Sequence, residues 1–320
     1  MSAAMRCGFI SIIGQPNVGK STLLNTMIGT KLAIVTPKPQ TTRHRILGVK
    51  NLPDAQLVFL DTPGIQRGKT RLSHFMMQAV DEALVDPQIV LYMTDASRAP
   101  YPDLAFLRRH LRQPTQRASA ASRAYENAPP EAQRPVAVFW LLNKTDRIAP
   151  AQLLPLIADY PDKDAFAEVL PLSALRGDNV EALVDCLVRY LPEGPPHFPP
   201  DMPTDRDERF LIAELIREQV MLRTHEEVPY AVAVEIEEFR ERRGGGVEIE
   251  ASVMVEKASQ KGILVGRQGQ MIKAIGTQAR RAIGGLLHCP VRLHLVVRVR
   301  RNWKEHAGTL RALGFGEMRG

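Results

Sequence analysis

Two hydrophobic rhythms divide the chain. Between residues 8 and 172, short apolar runs at 8–13, 57–60, 89–93, 136–142 and 169–172 alternate with segments of helical period. Runs of that length fit strands buried on both faces, and the helical stretches between them fit crossover connections. This part therefore predicts an α/β domain with a mostly parallel sheet and helices on both faces. Beyond residue 205 the rhythm changes. Residues 206–223 place Phe210, Ala213, Leu215, Ile216 and Val220 on a helical stripe, whereas 230–239 and 247–255 alternate strictly, with Val247, Ile249, Ala251, Val253 and Val255 on one face. Arg243-Gly244-Gly245-Gly246 supplies the hairpin turn between them. Helical 260–264, a Gly-bounded loop, helical 271–286 and a strand at 291–299 complete an α+β order of helix, strand, strand, helix, helix, strand.

The stretch 191–204, LPEGPPHFPPDMPT, holds six prolines and cannot form a regular element, because each ring fixes φ and removes a backbone donor. It predicts a division into domains at 1–191 and 205–320 with a linker at 192–204. A second irregular stretch, 113–135, is rich in Ala, Ser, Arg, Gln and Pro without a hydrophobic period and reads as a mobile surface insertion.

Composition adds boundaries. At 320 residues, 44% hydrophobic and 24% charged, the chain has material for two buried cores. The longest apolar run, 136–142, is seven residues, far short of the roughly 20 that a membrane-spanning helix needs. Cys7, Cys186 and Cys289 are odd in number and far apart, which argues for packing residues in a reducing compartment. The first six residues lack the apolar core of an export signal, so a cytoplasmic location is expected. The net charge of +7 is unevenly spread: residues 257–320 carry 13 basic and 2 acidic side chains, and 201–256 carry 7 basic and 15 acidic. A basic C-terminal segment of this kind attracts polyanions, nucleic acid foremost; a solvated surface is the bland alternative.

The chemistry lies in the first domain. Gly14-Gln15-Pro16-Asn17-Val18-Gly19-Lys20-Ser21 fits the pattern GxxxxGK followed by Ser or Thr, after an apolar strand and at the start of a helical segment. There the backbone amides from Asn17 through Val18, Gly19, Lys20 and Ser21 to Thr22 converge on phosphates. Lys20 would bridge the β- and γ-phosphates and Ser21 would ligate Mg²⁺. Asp61-Thr62-Pro63-Gly64 ends the strand at 57–60; Asp61 would hold Mg²⁺ through water, and the Gly64 amide would sense a γ-phosphate. Asn143-Lys144-Thr145-Asp146 follows the strand at 136–142. The two oxygens of Asp146 can accept from the N1–H and N2 amino groups of guanine, an edge that adenine reverses. The Lys144 stem covers the ring and Asn143 ties the loop to the phosphate site. Ser173-Ala174-Leu175, after the strand at 169–172, supplies a last guanine loop, with the Ala174 amide facing O6. Four motifs in this order are the pattern of GTPases. In the interval 39–45, PQTTRHR, a threonine would complete Mg²⁺ coordination: Thr42, with Thr41 as the alternative. Ile65 stands where many GTPases place a water-orienting glutamine, so slow intrinsic hydrolysis is expected, with Lys20, Mg²⁺ and backbone amides stabilising charge.

QTTRHR, DTPG and NKTD, joined to a basic C-terminal domain, resemble the Era family of bacterial ribosome-assembly GTPases over nearly the whole chain. The resemblance implies that the second domain is a type II KH fold with the element order read above. Its nucleic-acid loop, GxxG, is here Gly266-Arg267-Gln268-Gly269, with Lys261 and Lys273 adding phosphate attraction. It further implies binding of GTP and GDP, contact with the 3′ region of 16S ribosomal RNA, and a role in assembly of the 30S subunit. Asn17 occupies the position that ligates potassium in related GTPases. The chain is expected to act as a monomer, and peripheral association of its basic face with the membrane stands as a further expectation. Two features depart from the family: Thr145 replaces an aliphatic residue, and the insertion 113–135 is longer than usual. The competing readings are an RNA-binding scaffold with a merely structural nucleotide site, and a P-loop ATPase, which Asp146 disfavours.

Overall fold

The computed structural model describes residues 5–65, 68–98, 136–160 and 163–315; the insertion at 113–135 lies outside them. The chain divides into two units. One holds Met1–Thr30, Arg45–Ile65 and Met77–Asp205; the other holds Lys31–His44, residues 66–76 and Arg206–Gly320.

In the first unit, β1 (Arg6–Gly14), α1 (Lys20–Ile28), β2 (Ile46–Asn51), β3 (Ala55–Asp61), α2 (Arg71–Ala83), β4 (Ile89–Asp95), β5 (Ala137–Asn143), α3 (Leu153–Ala158), β6 (Glu168–Pro171) and α4 (Val180–Tyr190) follow one another, α2 contributing its first residues to the second unit. The sheet order is β2-β3-β1-β4-β5-β6, parallel except for β2, which runs antiparallel to β3. The apolar runs read from the sequence are its central strands, and Ile10, Ile12, Leu57, Phe59, Ile89, Leu91, Phe139 and Leu141 are wholly buried. Strand β2 escaped the sequence reading. Its ILGVKN is too short and too mixed to stand out, and it lies at the sheet's edge. The register aligns Ile12 with Asp61, Gly14 with Met93 and Asp95 with Asn143. The C-terminal ends of β1, β3, β4 and β5 thus form one rim, where ligands of open α/β sheets bind.

The proline-rich stretch is irregular yet tied to this unit at several points. Pro203 O accepts from Val49 N at 2.9 Å, Pro200 O from Asn51 Nδ2 at 2.9 Å, and Gln56 Oε1 takes the amides of His197 and Phe198 at 2.7 and 2.9 Å. Phe198 packs with Phe9, Leu47 and Val58.

The second unit contains α5 (Glu208–Arg223), α6 (Val228–Ala231), β7 (Ala233–Glu241), β8 (Val247–Val255), α7 (Ala258–Val265), α8 (Gln270–Leu287), β9 (Val291–Val299) and α9 (Ala307–Ala312). Strands β7 and β8 pair antiparallel across the glycine turn, and β8 pairs with β9 in parallel. The inward residues of β8 pack with Ile216 and Val220 of α5, Leu264 of α7 and Ile275, Ala279 and Ile283 of α8. Asp207 caps α5 by accepting from Phe210 N at 2.8 Å. One expectation shifts. The strand expected from Tyr230 starts at Ala233, because residues 228–231 turn into α6 around Pro229.

The reason for that turn lies in residues 31–44. Arg43, 3% exposed, donates to the carbonyls of Pro229, Tyr230 and Val232 at 3.3, 3.2 and 2.6 Å, and Trp303 Nε1 donates to Ala231 O at 2.8 Å. Four successive carbonyls that the short helix leaves unpaired are thereby satisfied. The same segment is tied along α5: Lys31 and the Val35 amide both meet Glu218, at 2.6 and 3.0 Å. Lys38 caps the carbonyls of Met221 and Thr224, and Arg217, held by Glu214, donates to Thr41 O. His44 stacks on Phe315 and reaches Leu313 O at 3.0 Å.

Arg43→Met keeps the bulk and removes the donors, leaving buried carbonyls unpaired. It is expected to cost roughly 2–4 kcal/mol, and Arg43→Lys nearly as much, since a single ammonium cannot reproduce the fork. Urea unfolding measures both; a loss of stability smaller than the error would show that Arg43 does not hold the segment.

Candidate nucleotide site and nucleic-acid loop

Strand β1 ends at Gly14 and α1 begins at Lys20, with Gly19 as its N-cap in the left-handed region (φ 105°) and no side chain capping the helix. The amides at the start of α1 therefore face the loop. Gly19 is obligatory for a second reason: a Cβ there would meet Asn143 Nδ2 at 2.2 Å. Lys20 is buried, with Nζ on the carbonyls of Gly14 and Gln15 at 3.2 and 3.1 Å. Burial drives its pKa down to about 8, partly offset by the Asp61 charge.

Ser21 Oγ donates to Asp61 Oδ2 at 2.6 Å. A hydroxyl and a buried carboxylate in contact at the rim form a hard-oxygen pair that fits Mg²⁺. Thr62 Oγ1 donates to Ile12 O at 2.8 Å and the Ile65 amide to Gly14 O at 3.2 Å, so the DTPG segment lies against the phosphate loop. A Cβ on Gly64 would meet Pro16 Cα at 2.8 Å. The Ile65 side chain packs with Ile13, Val80 and Val90, a core contact that offers nothing to a water. Thr42, the expected further Mg²⁺ ligand, belongs to the segment that the structure assigns to the second unit. Thr41 is buried there, its hydroxyl on Thr36 Oγ1 and Lys38 O, both at 2.7 Å.

The base loops converge through polar ties. Asn143 Nδ2 donates to Val18 O at 2.7 Å and its Oδ1 accepts from Ala174 N at 2.9 Å. Lys144, in the left-handed region (φ 65°), donates to Asn17 O at 2.6 Å and Asp95 Oδ2 at 2.7 Å. Asp146 Oδ1 accepts from Ser173 Oγ at 2.6 Å. The Ala174 amide, expected to face guanine O6, is thus engaged by Asn143, whose buried amide oxygen needs a donor. Guanine would have to compete for it.

Asp95 was missed in the sequence. It ends the apolar run of β4 as Asp61 ends that of β3, which was the available signal. Burial alone would raise its carboxyl, but hydrogen bonds from Lys144 and Ser97 and the Lys144 charge hold it below the usual carboxylate range.

In the second unit, α7 ends at Gly266 (φ 71°), Gln268 is left-handed (φ 49°), and Gly269 (φ 76°) caps α8. A Cβ on Gly266 would meet Met271 Cβ at 2.8 Å. Lys261, Arg267, Gln268 and Lys273 are exposed around this turn, and Ile263 exposes nearly half of its apolar surface beside it.

Comparison with known proteins matches a family to each part of the chain. A family model described as a 50S ribosome-binding GTPase matches residues 9–125, and a KH-domain model matches residues 227–304. GTPase Era of Geotalea uraniireducens (strain Rf4) is 44% identical over 310 residues, covering 97% of this chain and 98% of the relative. The chain belongs to the Era family. GTPase Era of Syntrophus aciditrophicus (strain SB) is 43% identical over 317 residues, covering 99% of this chain and 97% of the relative. Among solved structures, a variant of Aquifex aeolicus Era bound to GDP·AlF4⁻ and an Era complexed with MgGDPNP and nucleotides 1506–1542 of 16S ribosomal RNA each superpose with a TM-score of 0.83. Both are 38% identical, covering 98% of this chain and 100% of theirs. An Era-family chain is a GTPase, which sets aside the scaffold and ATPase readings, and its fold is a P-loop GTPase domain followed by a KH domain.

The Lys20 pKa gives a signed expectation. Below about pH 8 the ammonium is ready to meet a triphosphate; above it, binding must first take up a proton. Affinity for GTP is expected to weaken by about tenfold per pH unit above 8, while protein stability rises from pH 8 to 10.5, because there the unfolded chain holds more protons than the folded one. Titration calorimetry between pH 7 and 9.5 tests the first part, and affinity flat across that range would contradict it.

Proposed function

We propose that this chain binds GTP and GDP through the rim of its first unit, hydrolyses GTP with Mg²⁺, and binds the 3′ region of 16S ribosomal RNA through its KH loop during assembly of the 30S subunit. The observation that carries the nucleotide half is the Asn143 tie, which fastens the phosphate loop at Val18 to the guanine loop at Ala174. Lys20, the amides of Asn17 to Thr22, Asp61 and Gly64 take the phosphates; Asp146, Lys144, Ser173 and Ala174 take the base. Ser21 and Asp61 would hold Mg²⁺, with Thr42 added when the triphosphate is bound. The ion supplies charge neutralisation between the phosphates. Lys20 would withdraw from the Gly14 and Gln15 carbonyls to meet the γ-phosphate, and Ile65 offers no group to orient the attacking water. Asn17, left-handed at φ 63°, is the candidate potassium ligand; turnover in potassium against sodium tests it.

Asp146→Asn is expected to lose GTP and gain xanthosine triphosphate, because the amide turns one acceptor into a donor that matches the C2 carbonyl of xanthine. Unchanged GTP affinity by calorimetry would sink the assignment of the base loop.

The RNA half is supported by the 16S nucleotides bound in the Era complex and by the GxxG turn of this chain. Gly269→Asp adds negative charge and a side chain where a phosphate must approach. It is expected to weaken binding of a single-stranded 16S 3′ segment at least tenfold in filter binding, with GTP binding retained. Equal affinity of variant and wild type at every salt concentration would remove the KH loop from the RNA site. The basic surface would also be drawn to anionic lipid, an association measured by vesicle sedimentation against competing RNA. A single elution volume that does not change with concentration would mark the monomer.

A further inference from the structure

Asp95 has no part in the nucleotide chemistry assigned above, yet it is only 4% exposed, and a buried carboxylate persists only where its charge is used. The structure shows how it is aimed. Its Oδ1 accepts from the Ser97 amide at 3.0 Å and from the Ser97 hydroxyl at 2.7 Å, which fixes the rotamer and turns Oδ2 towards Lys144 Nζ, 2.7 Å away. The backbone is locked at the same place: the Ala96 amide donates to Asn143 O at 2.8 Å and holds the ends of β4 and β5 in register. Although burial works against it, these partners keep the Asp95 carboxyl ionised. Arg98 lies 3.7 Å away, but its side chain is 69% exposed and screened by water, so Lys144 is the cation that matters. Lys144 and Asn17 are both non-glycine residues in the left-handed region, at φ 65° and 63°, a conformation that surrounding contacts have to impose. Packing alone is incomplete there. A cavity of about 20 Å³ separates the phosphate loop at Gln15, Pro16 and Val18 from the end of β4 at Thr94 and Asp95. What bridges the two is Lys144 Nζ, which also donates to Asn17 O at 2.6 Å.

We propose that Asp95 is a positioning residue for nucleotide binding: its carboxylate anchors the Lys144 ammonium, so that the Lys144 stem lies across the base and the phosphate loop is held at Asn17. This rests on the assignment of residues 143–146 to the base. Asp95 acts through Lys144 and touches neither base nor phosphate. Without that counter-charge the ammonium keeps a single carbonyl, and a flexible four-carbon chain held at one point samples many rotamers. The role differs in kind from that of Asp146. Asp146 reads the edge of the base and so decides which purine binds. Asp95 fixes a stem against the ring face, which purines share, and so decides how tightly any of them binds.

The test titrates the full chain calorimetrically with GTP, GDP and inosine triphosphate, whose base lacks the N2 amino group. Asp95→Asn keeps the shape and an acceptor for Ser97 and removes only the charge. It is expected to weaken all three nucleotides by one common factor of about tenfold, the loss of one charge-assisted hydrogen bond. The preference for GTP over inosine triphosphate stays intact, and in turnover KM rises while kcat holds. Asp95→Glu, which restores the charge, is expected to recover most of the affinity. In a Lys144→Met background no ammonium remains to be placed, and Asp95→Asn is expected to add no further loss. Undiminished affinity in Asp95→Asn, or a loss of equal size with and without the Lys144 ammonium, would overturn the proposal. A wild type that made no distinction between GTP and inosine triphosphate would bring down the base-loop reading and this proposal together. Discrimination by the wild type, with undiminished binding by Asp95→Asn, would refute the role of Asp95 alone.

Discussion

The side-chain amide of Asn143 is the knot of the first unit. One end donates to the phosphate loop at Val18 and the other accepts from the base loop at Ala174, and the side chain is buried. Because both partners are backbone groups, the geometry of two loops follows from one rotamer at the end of β5. Lys144 adds a parallel tie from Asn17 to Asp95, so three strand ends share a single polar lattice. Gly19 exists in the form it does because that amide occupies the space of its absent Cβ. Two buried ties thus fix the phosphate loop and the base loop to each other.

The second unit depends on a different kind of constraint: buried carbonyls at the ends of short helices, closed by cations from far away in sequence. Arg43 lies in the interval 39–45 where the sequence places a Mg²⁺-ligating threonine, and Lys38 stands just before it, yet each closes helix ends of the second unit, to which residues 31–44 belong. A buried guanidinium is costly to desolvate and persists only when its donors are well used. Here they meet three carbonyls and the Trp303 ring at 5.9 Å.

Much of this was legible because it is periodic or spaced. The parallel strands, the alternation of β8, the phosphate loop and the guanine loop all follow from local pattern, and β9 came out to the residue. What was not legible depends on pairings between distant residues. The shortening of β7, the capture of residues 31–44 by α5 and α6, the role of Asp95 and the engagement of the Ala174 amide are all decided by partners 30 to nearly 190 residues away. A proline count likewise says that a stretch is irregular, but not whether it hangs free or lies down on a sheet.

That last distinction has its own consequence. Strand β2 is an edge of a six-stranded sheet, and uncovered edges recruit other chains into intermolecular ribbons. The stretch that lies along it takes the Val49 amide on Pro203 O and the Asn51 side chain on Pro200 O. Proline accepts but has no amide to give, so the cover satisfies the margin and offers its own outer side little with which to extend the ladder. The segment that connects the two units therefore also covers this edge, and its prolines leave few donors for a further strand.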